Sequence, residues 1–252
     1  MSRIAVATRL GFREQARRPL LLILLVALPF LFITRAIAST VPQPRSVPLP
    51  GGDFVLTNMR DIHGATMTAI TVAFLAGICG LFILQSAREA DRRLVLAGFA
   101  PAEAVIPRLL TLLAATGLIV AVSLAVTAIS FQPRDWLPFA LANLLVGITY
   151  GGIGALAGAV LGRLGGTYLM FFLPMIDLGI AQSPMFGDAE PGGWAVLLPG
   201  YGPGRVLVEA SFASGFDAWR ELAIAGAWAA LTVAVVTALL VRAVGVRRVA
   251  PA

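Results

Sequence analysis

Six long apolar runs constrain this chain more than any other feature of its sequence. They cover residues 19–37, 66–85, 109–131, 136–161, 165–183 and 222–244, and charge is almost confined to the segments between them. A helix needs about 20 mostly apolar residues to cross the hydrocarbon of a bilayer. Lipid offers no partner for backbone polar groups, so runs of this length read as helices whose hydrogen bonds are internal. Composition points the same way: 58% of the residues are hydrophobic and 13% charged, against about 45–50% apolar and about 25% charged in soluble domains. The expected fold class is therefore an all-α membrane protein of six transmembrane helices, forming one integral domain over residues 1–252.

The first run follows a basic stretch with Arg3, Arg9, Arg13, Arg17 and Arg18. It opens on Pro19, which suits the first turn of a helix. Ala36, Ile37 and Ala38 have the small-residue pattern of a signal cleavage site. The run is nevertheless longer than the roughly 7 to 15 residues of a signal core, and Arg35 abuts the site, which favours a retained anchor. Residues 38–65 contain Pro42, Pro44, Pro48, Pro50, Gly51 and Gly52 with both charge signs, the composition of an extramembrane loop. The fourth run carries Gly147, Gly151, Gly154, Gly158 and Gly162, whose four-residue spacings let another helix approach closely, most simply within the same subunit. Between the fifth and sixth runs, residues 194–198 and 206–212 are apolar but too short to cross, so they read as interfacial or re-entrant pieces.

Orientation follows from the arginines. With the N-terminus inside, thirteen lie on the cytoplasmic side: Arg3, Arg9, Arg13, Arg17, Arg18, Arg88, Arg92, Arg93, Arg108, Arg163, Arg242, Arg247 and Arg248. Six lie on the other: Arg35, Arg45, Arg60, Arg134, Arg205 and Arg220. The positive-inside rule then places both termini in the cytoplasm of a cell (inner) membrane protein, as an even number of spans requires.

Several chemistries are excluded. The net charge of +6 is a topology signal and implies no nucleic acid partner. All 19 basic residues are arginine, so the chain has neither the lysine of a phosphate-binding loop nor an amine for a Schiff base. Cys79 and His63 are the only residues of their kinds, which removes disulfide frameworks, Cys/His zinc clusters, HExxH helices and any triad with a nearby histidine. Cys79 reads as a small buried residue, and His63, beside Asp61, as a solvated loop residue. Asp177 is different, because an ionisable group within a span faces a cavity or a partner. If the fifth run ends early, Asp177 sits instead at the membrane interface. The sequence leaves both readings open.

Residues 86–108 form the most distinctive hydrophilic segment. Ser86 and Glu89 have capping-box spacing, so a new helix is expected to begin there, Gly98 to end it and Pro101 to start another. Arg88 and Arg92 lie one turn apart, and Glu89 can pair with Arg92 or Arg93. The bland alternative is an anchoring loop whose arginines bind lipid phosphates. A charged turn, a Leu-rich helix (Leu94, Leu96), a Pro-initiated helix with an acidic residue (Pro101, Glu103) and a basic residue before the next span (Arg108) together resemble the cytoplasmic segment of type-2 ABC exporter permeases. The basic N-terminal stretch, read as an interfacial helix, and the apolar pieces around Pro199 and residues 205–210 are similar to the same family. Pro107-Arg108 stands where that family usually has Gly-Lys.

The resemblance implies the transmembrane subunit of an ATP-driven exporter. It implies cytoplasmic ABC ATPase subunits as partners, with ATP and magnesium on those chains and no cofactor on this one. It also implies a second permease copy or a paralogous permease. Arg88, Glu89, Arg92, Arg93, Pro101 and Glu103 would receive the motor's push, spans one, two and five would rock around a path at the subunit interface, and Asp177 would lie on that path. The near absence of charge within the spans suits a hydrophobic or amphipathic cargo, drug or lipid-like, and drug efflux would bring antibiotic resistance with it. The alternatives are a non-transporting membrane scaffold, which has no reason for the proline-punctuated charged segment, and an integral membrane enzyme, which needs a polar cluster shared by several spans.

Overall fold

The computed structural model describes residues 19–96, 98–186 and 191–244, with side chains for all of these except 19–22, 24, 84–92 and 244. Helix α1 covers Pro19–Ser39, α2 Met59–Leu96, α3 Pro101–Ser130, α4 Trp136–Val160, α5 Gly162–Ile176, α6 Tyr201–Phe212 and α7 Trp219–Val244. A π-helical turn, Asp177–Ala181, continues α5, and a 3-10 turn, Gly193–Leu197, precedes α6. Strands β1 (Pro44–Pro48) and β2 (Phe54–Asn58) pair antiparallel between α1 and α2.

The chain is mostly helical, and among the described residues five stretches are long and apolar enough to cross a membrane: Met59–Ile83, Pro101–Ser130, Trp136–Val160, Gly162–Ala181 and Trp219–Ala243. Within α1 the described apolar stretch is the shorter Leu25–Ser39. The expected N-terminal interfacial helix lies outside the described residues. Successive long helices run up and down, so one end of the bundle carries the β-hairpin and the other carries the α2–α3 and α4–α5 turns.

Three local features differ from the sequence reading. Part of the expected loop is a hairpin, closed by a turn in which Leu49 N–H donates to the Asp53 carbonyl at 2.8 Å and Gly52 takes a φ of +84°. Helix α2 begins at Met59 rather than at 66, because Asn58 caps it: its Oδ1 accepts from Asp61 N–H at 3.0 Å, the N-cap to N3 bond. At its far end α2 does not restart at Ser86 but continues unbroken to Leu96. Residues 84–96 contain no glycine or proline and are rich in Leu, Ala and Arg, all strong helix formers. The stop is at Gly98, as expected. Its φ is +91°, its N–H reaches the Val95 carbonyl (3.0 Å) and Phe99 N–H reaches that of Leu94 (3.1 Å), the pair of bonds of a Schellman motif. Pro101 opens α3, and the Glu103 carboxylate accepts from Ala100 N–H at 3.0 Å.

Helices α2 and α4 form the inner pair. A Cβ on Gly154 would lie 1.9 Å from the Gly77 carbonyl oxygen, and one on Gly80 would lie 2.0 Å from that of Gly151. The backbones therefore touch, and the partner admitted by the α4 glycines is α2 of the same chain. Gly152 faces the other way, against Thr232 of α7. Large apolar side chains on α3, α5 and α7, such as Leu118, Phe172 and Leu239, are exposed, as lipid contact requires.

At the hairpin end, Phe131, Trp136, Phe139 and Phe212 pack ring against ring. Gly64 leaves room for this cluster, since a Cβ there would lie 2.5 Å from the Phe131 ring. Helix α6 is buried from Gly202 to Phe212. Its 12 residues span about 18 Å, too little to cross hydrocarbon about 30 Å thick. It is tied down on three sides. Arg205 Nη1 donates to the Pro48 carbonyl at 3.1 Å, Asp135 N–H donates to the Ala210 carbonyl at 2.9 Å, and Asp217 N–H donates to Glu209 Oε1 at the start of α7.

Candidate functional site

Helices α1, α2 and α5 enclose an apolar cleft of about 350 Å³. Its walls are Leu31 and Phe32 from α1, Met67, Ile70 and Phe74 from α2, and Phe171, Pro174 and Met175 from α5, with Arg35 and Ser39 the most polar contributors. Phe74 is central: its ring meets Phe32 edge-on at 6.3 Å and Phe171 at 5.9 Å, arrangements favoured by the ring quadrupoles. Phe32 and Phe171 are about half exposed, so the cleft opens toward the outside of the bundle. Apolar walls with one guanidinium can take a hydrophobic or amphipathic molecule.

Pro174 shapes one wall and also the chain beyond it. Lacking an N–H, it leaves an unfilled position in the α5 ladder, and the helix relaxes into the π turn that follows. Gln182 N–H bonds five residues back to the Asp177 carbonyl at 2.9 Å. The widened turn aims Asp177 inward, where it is fully buried. Its carboxylate accepts from Tyr150 OH (2.5 Å), Gly200 N–H (2.8 Å) and Gln182 Nε2 (3.2 Å). Gln182 Nε2 also donates to the Ala195 carbonyl at 2.8 Å. Asp177 is thus enclosed by protein and meets partners of its own chain. The carboxylate fastens α4, α5 and the entry to α6 together, and it does not line the cleft. Buried charge persists where hydrogen bonds satisfy it, and all three donors come from protein.

Nothing in the sequence pointed to Tyr150, Gln182 and Gly200 as the partners of Asp177. The available signal was a proline three residues before an aspartate inside an apolar run, a combination that places a helix irregularity next to an ionisable group.

The opposite end holds the segment 86–108. Arg93 is exposed, Pro101 and Glu103 form the start of α3, and the side chains of Arg88, Glu89 and Arg92 lie outside those described. Arg163 sits at the same end, its guanidinium 4.7 Å above the Phe82 ring.

His63 corrects the sequence reading. It lies within α2, is partly buried, and its Nδ1 is 2.6 Å from Thr40 Oγ1 at the end of α1, so it joins two helices rather than meeting solvent in a loop. Cys79 is only partly buried. Among the described residues no three His, Cys, Asp or Glu side chains are grouped so that they could hold a metal ion. Comparison with protein-family models, curated proteins and solved structures finds no match to this chain.

Proposed function

We propose that this chain is the membrane-spanning permease subunit of an ATP-driven export system of the ABC type, moving a hydrophobic or amphipathic molecule out of the cytoplasm. The observation that carries the reading is the cleft. Its lining comes from α1, α2 and α5 alone, the three helices that the resemblance expects to surround the transport path. A second copy of the chain, or a paralogous permease, placed against this open face would close it.

The two ends of the bundle support the reading as well. One end projects α2 beyond its apolar part, through the arginines of residues 88–93, to the Gly98 turn and Pro101. In the proposed assembly this is the cytoplasmic face on which the ATPase subunits dock, with ATP and magnesium held by those chains. The other end, with the hairpin and buried α6, faces outward, α6 acting as the re-entrant piece. Counting α1 as a crossing gives six spans with both termini inside, and the arginine distribution favours that orientation. Drug efflux and lipid export both suit the cleft's chemistry.

The test is to co-express the chain with its genomic neighbours, purify it in lipid with whatever binds it and measure ATP hydrolysis. Reversing charge with Arg88→Glu and Arg92→Glu is expected to leave membrane insertion intact and to abolish the hydrolysis coupled to this subunit. Purification without any ATPase, or hydrolysis unaffected by the reversal, refutes the proposal and returns the chain to the scaffold class.

A further inference from the structure

A second cleft, of about 440 Å³, opens at the hairpin end. It lies between β2 (Val55, Leu56, Thr57), the first turn of α2 (Asp61), the last turn of α3 and the loop after it (Ile129, Gln132, Arg134) and the end of α6 (Ser211, Phe212). The volume falls within the range of about 300–1,000 Å³ usual for small-molecule sites.

Three polar groups in this cleft keep unused hydrogen-bonding capacity among the described residues. Asp61 uses Oδ2 to accept from Asn58 Nδ2, but among the described residues no donor reaches its Oδ1. Arg134 is exposed, and among the described residues nothing pairs with its guanidinium, not even Asp61 in the same cleft. Ser211 is only 3% exposed and its Oγ has no hydrogen bond. A buried polar atom left unpaired costs free energy, and a carboxylate and a guanidinium sharing one cleft without meeting leave a gap between opposite charges. The apolar part of the lining is equally specific. Leu56 and Ile129 are 76% and 70% exposed, forming a shoulder at the level where α3 ends. Helix α3 is long and apolar enough to cross a membrane, so its end marks the level at which hydrocarbon would give way to head groups.

The geometry points to a binding site for a zwitterionic phospho-amine head group. The ammonium goes to Asp61 and the phosphate to Arg134 with help from the Ser211 hydroxyl, and the acyl chains leave over Leu56 and Ile129. Phosphatidylethanolamine in the adjacent leaflet is the lipid form of this chemistry. The site is independent of the apolar cleft at α1, α2 and α5 and does not rest on the transport reading.

The full chain in detergent, incubated with phosphatidylethanolamine or phosphatidylglycerol of identical acyl chains, is analysed by native mass spectrometry. The expected result is retention of the ethanolamine lipid over the glycerol lipid. Asp61→Asn and Arg134→Gln should each weaken that retention by about tenfold, the loss of one charge-assisted hydrogen bond. Arg134→Lys should keep most of it. Ser211→Ala should weaken binding without lowering the melting temperature of lipid-free protein, since its hydroxyl has no partner to lose. In a further arm, soluble phosphoethanolamine that displaces the lipid shows the head group to be sufficient. Failure to displace, with lipid binding intact, shows that the acyl contacts are needed as well. Both outcomes support the site. Equal retention of the two lipids, or retention unchanged by Asp61→Asn and Arg134→Gln in monodisperse protein, overturns it.

Discussion

Replacing Gly154 with alanine adds one methyl group at the place where α2 and α4 touch. The new Cβ would lie 1.9 Å from the Gly77 carbonyl oxygen, with two more backbone atoms of Gly77 within 2.8 Å. Real Cβ contacts are essentially never under 3.0 Å, so the helices must part by about an ångström, and a gap of 0.5–1 Å already forfeits a quarter to a half of each atom pair's dispersion well. The atoms met are backbone, so no side chain can rotate away. Spread over the tens of atom pairs in this interface, at about 0.1–0.2 kcal/mol each, the loss comes to about 2–4 kcal/mol. Gly117 and Gly226 supply the control, since a Cβ at either meets nothing within 4 Å. Alanine there should be neutral or stabilise by about 0.5–1 kcal/mol through helix propensity. The assay is thermal or denaturant unfolding of the purified chain in one detergent, followed by helical circular dichroism. Gly154→Ala should unfold well before the wild type, and Gly117→Ala and Gly226→Ala should not. If Gly154→Ala matches the controls, the backbone contact is not the seam that holds the bundle.

Tyr150→Phe removes one donor from the buried Asp177 carboxylate and should destabilise by about 1–3 kcal/mol, measured by the same unfolding assay. Asp177→Leu should cost less than Tyr150→Phe and Gln182→Leu combined, because those two together strand a buried charge. Thr68 and Thr127, whose hydroxyls lie 2.7 Å apart between α2 and α3, should show a coupling of about 0.6 kcal/mol in a double-mutant cycle with valine. Burial raises the Glu209 carboxyl above the usual carboxylate range. Hydrogen bonds from Asp217 and Ala218 N–H pull it down, while the charges of Asp217 and Glu221 add to the rise. The folded state then holds this proton more tightly than the unfolded chain, so Glu209's contribution to stability falls as pH rises from about 4.3 to the raised value. Melting temperature against pH should show that slope in the wild type and lose it in Glu209→Gln.

The legible part of this fold was the part governed by hydrocarbon thickness. Apolar runs located the long helices, Gly98 and Pro101 marked a stop and a start, and the α4 glycines announced a close neighbour. Capping was harder to read. Ser86 and Glu89 carry the same spacing as a genuine helix start, but the strong helix formers on both sides left no reason for the helix to break. The Asn58 and Asp61 pair, which does begin α2, was hidden in a segment dominated by prolines. Hairpin β1–β2 escaped because two five-residue strands flanked by Pro44, Pro48, Gly51 and Gly52 share their composition with an irregular loop. His63 was misplaced for the same reason, since once α2 starts at Met59 that residue must lie on a helix. For the sites, a single sequence can expose an odd residue such as Asp177 but not its partners. Tyr150 and Gly200 stand 27 and 23 residues away, and only the folded bundle brings them to it.

Because α2 does not break at Ser86, its 38 residues make one rod about 57 Å long, nearly twice the hydrocarbon thickness of about 30 Å. Its tightest contact, at Gly77 and Gly80, divides that rod into arms of about 24 Å toward Leu96 and about 32 Å toward Met59, measured from Gly80. Side chains pack along the rod on both sides of that contact, with Ile62, Val72, Ala76 and Leu81 all fully buried. The Gly98 turn at one end and the hairpin with Asp61 at the other are thus joined by one unbroken, closely packed helix.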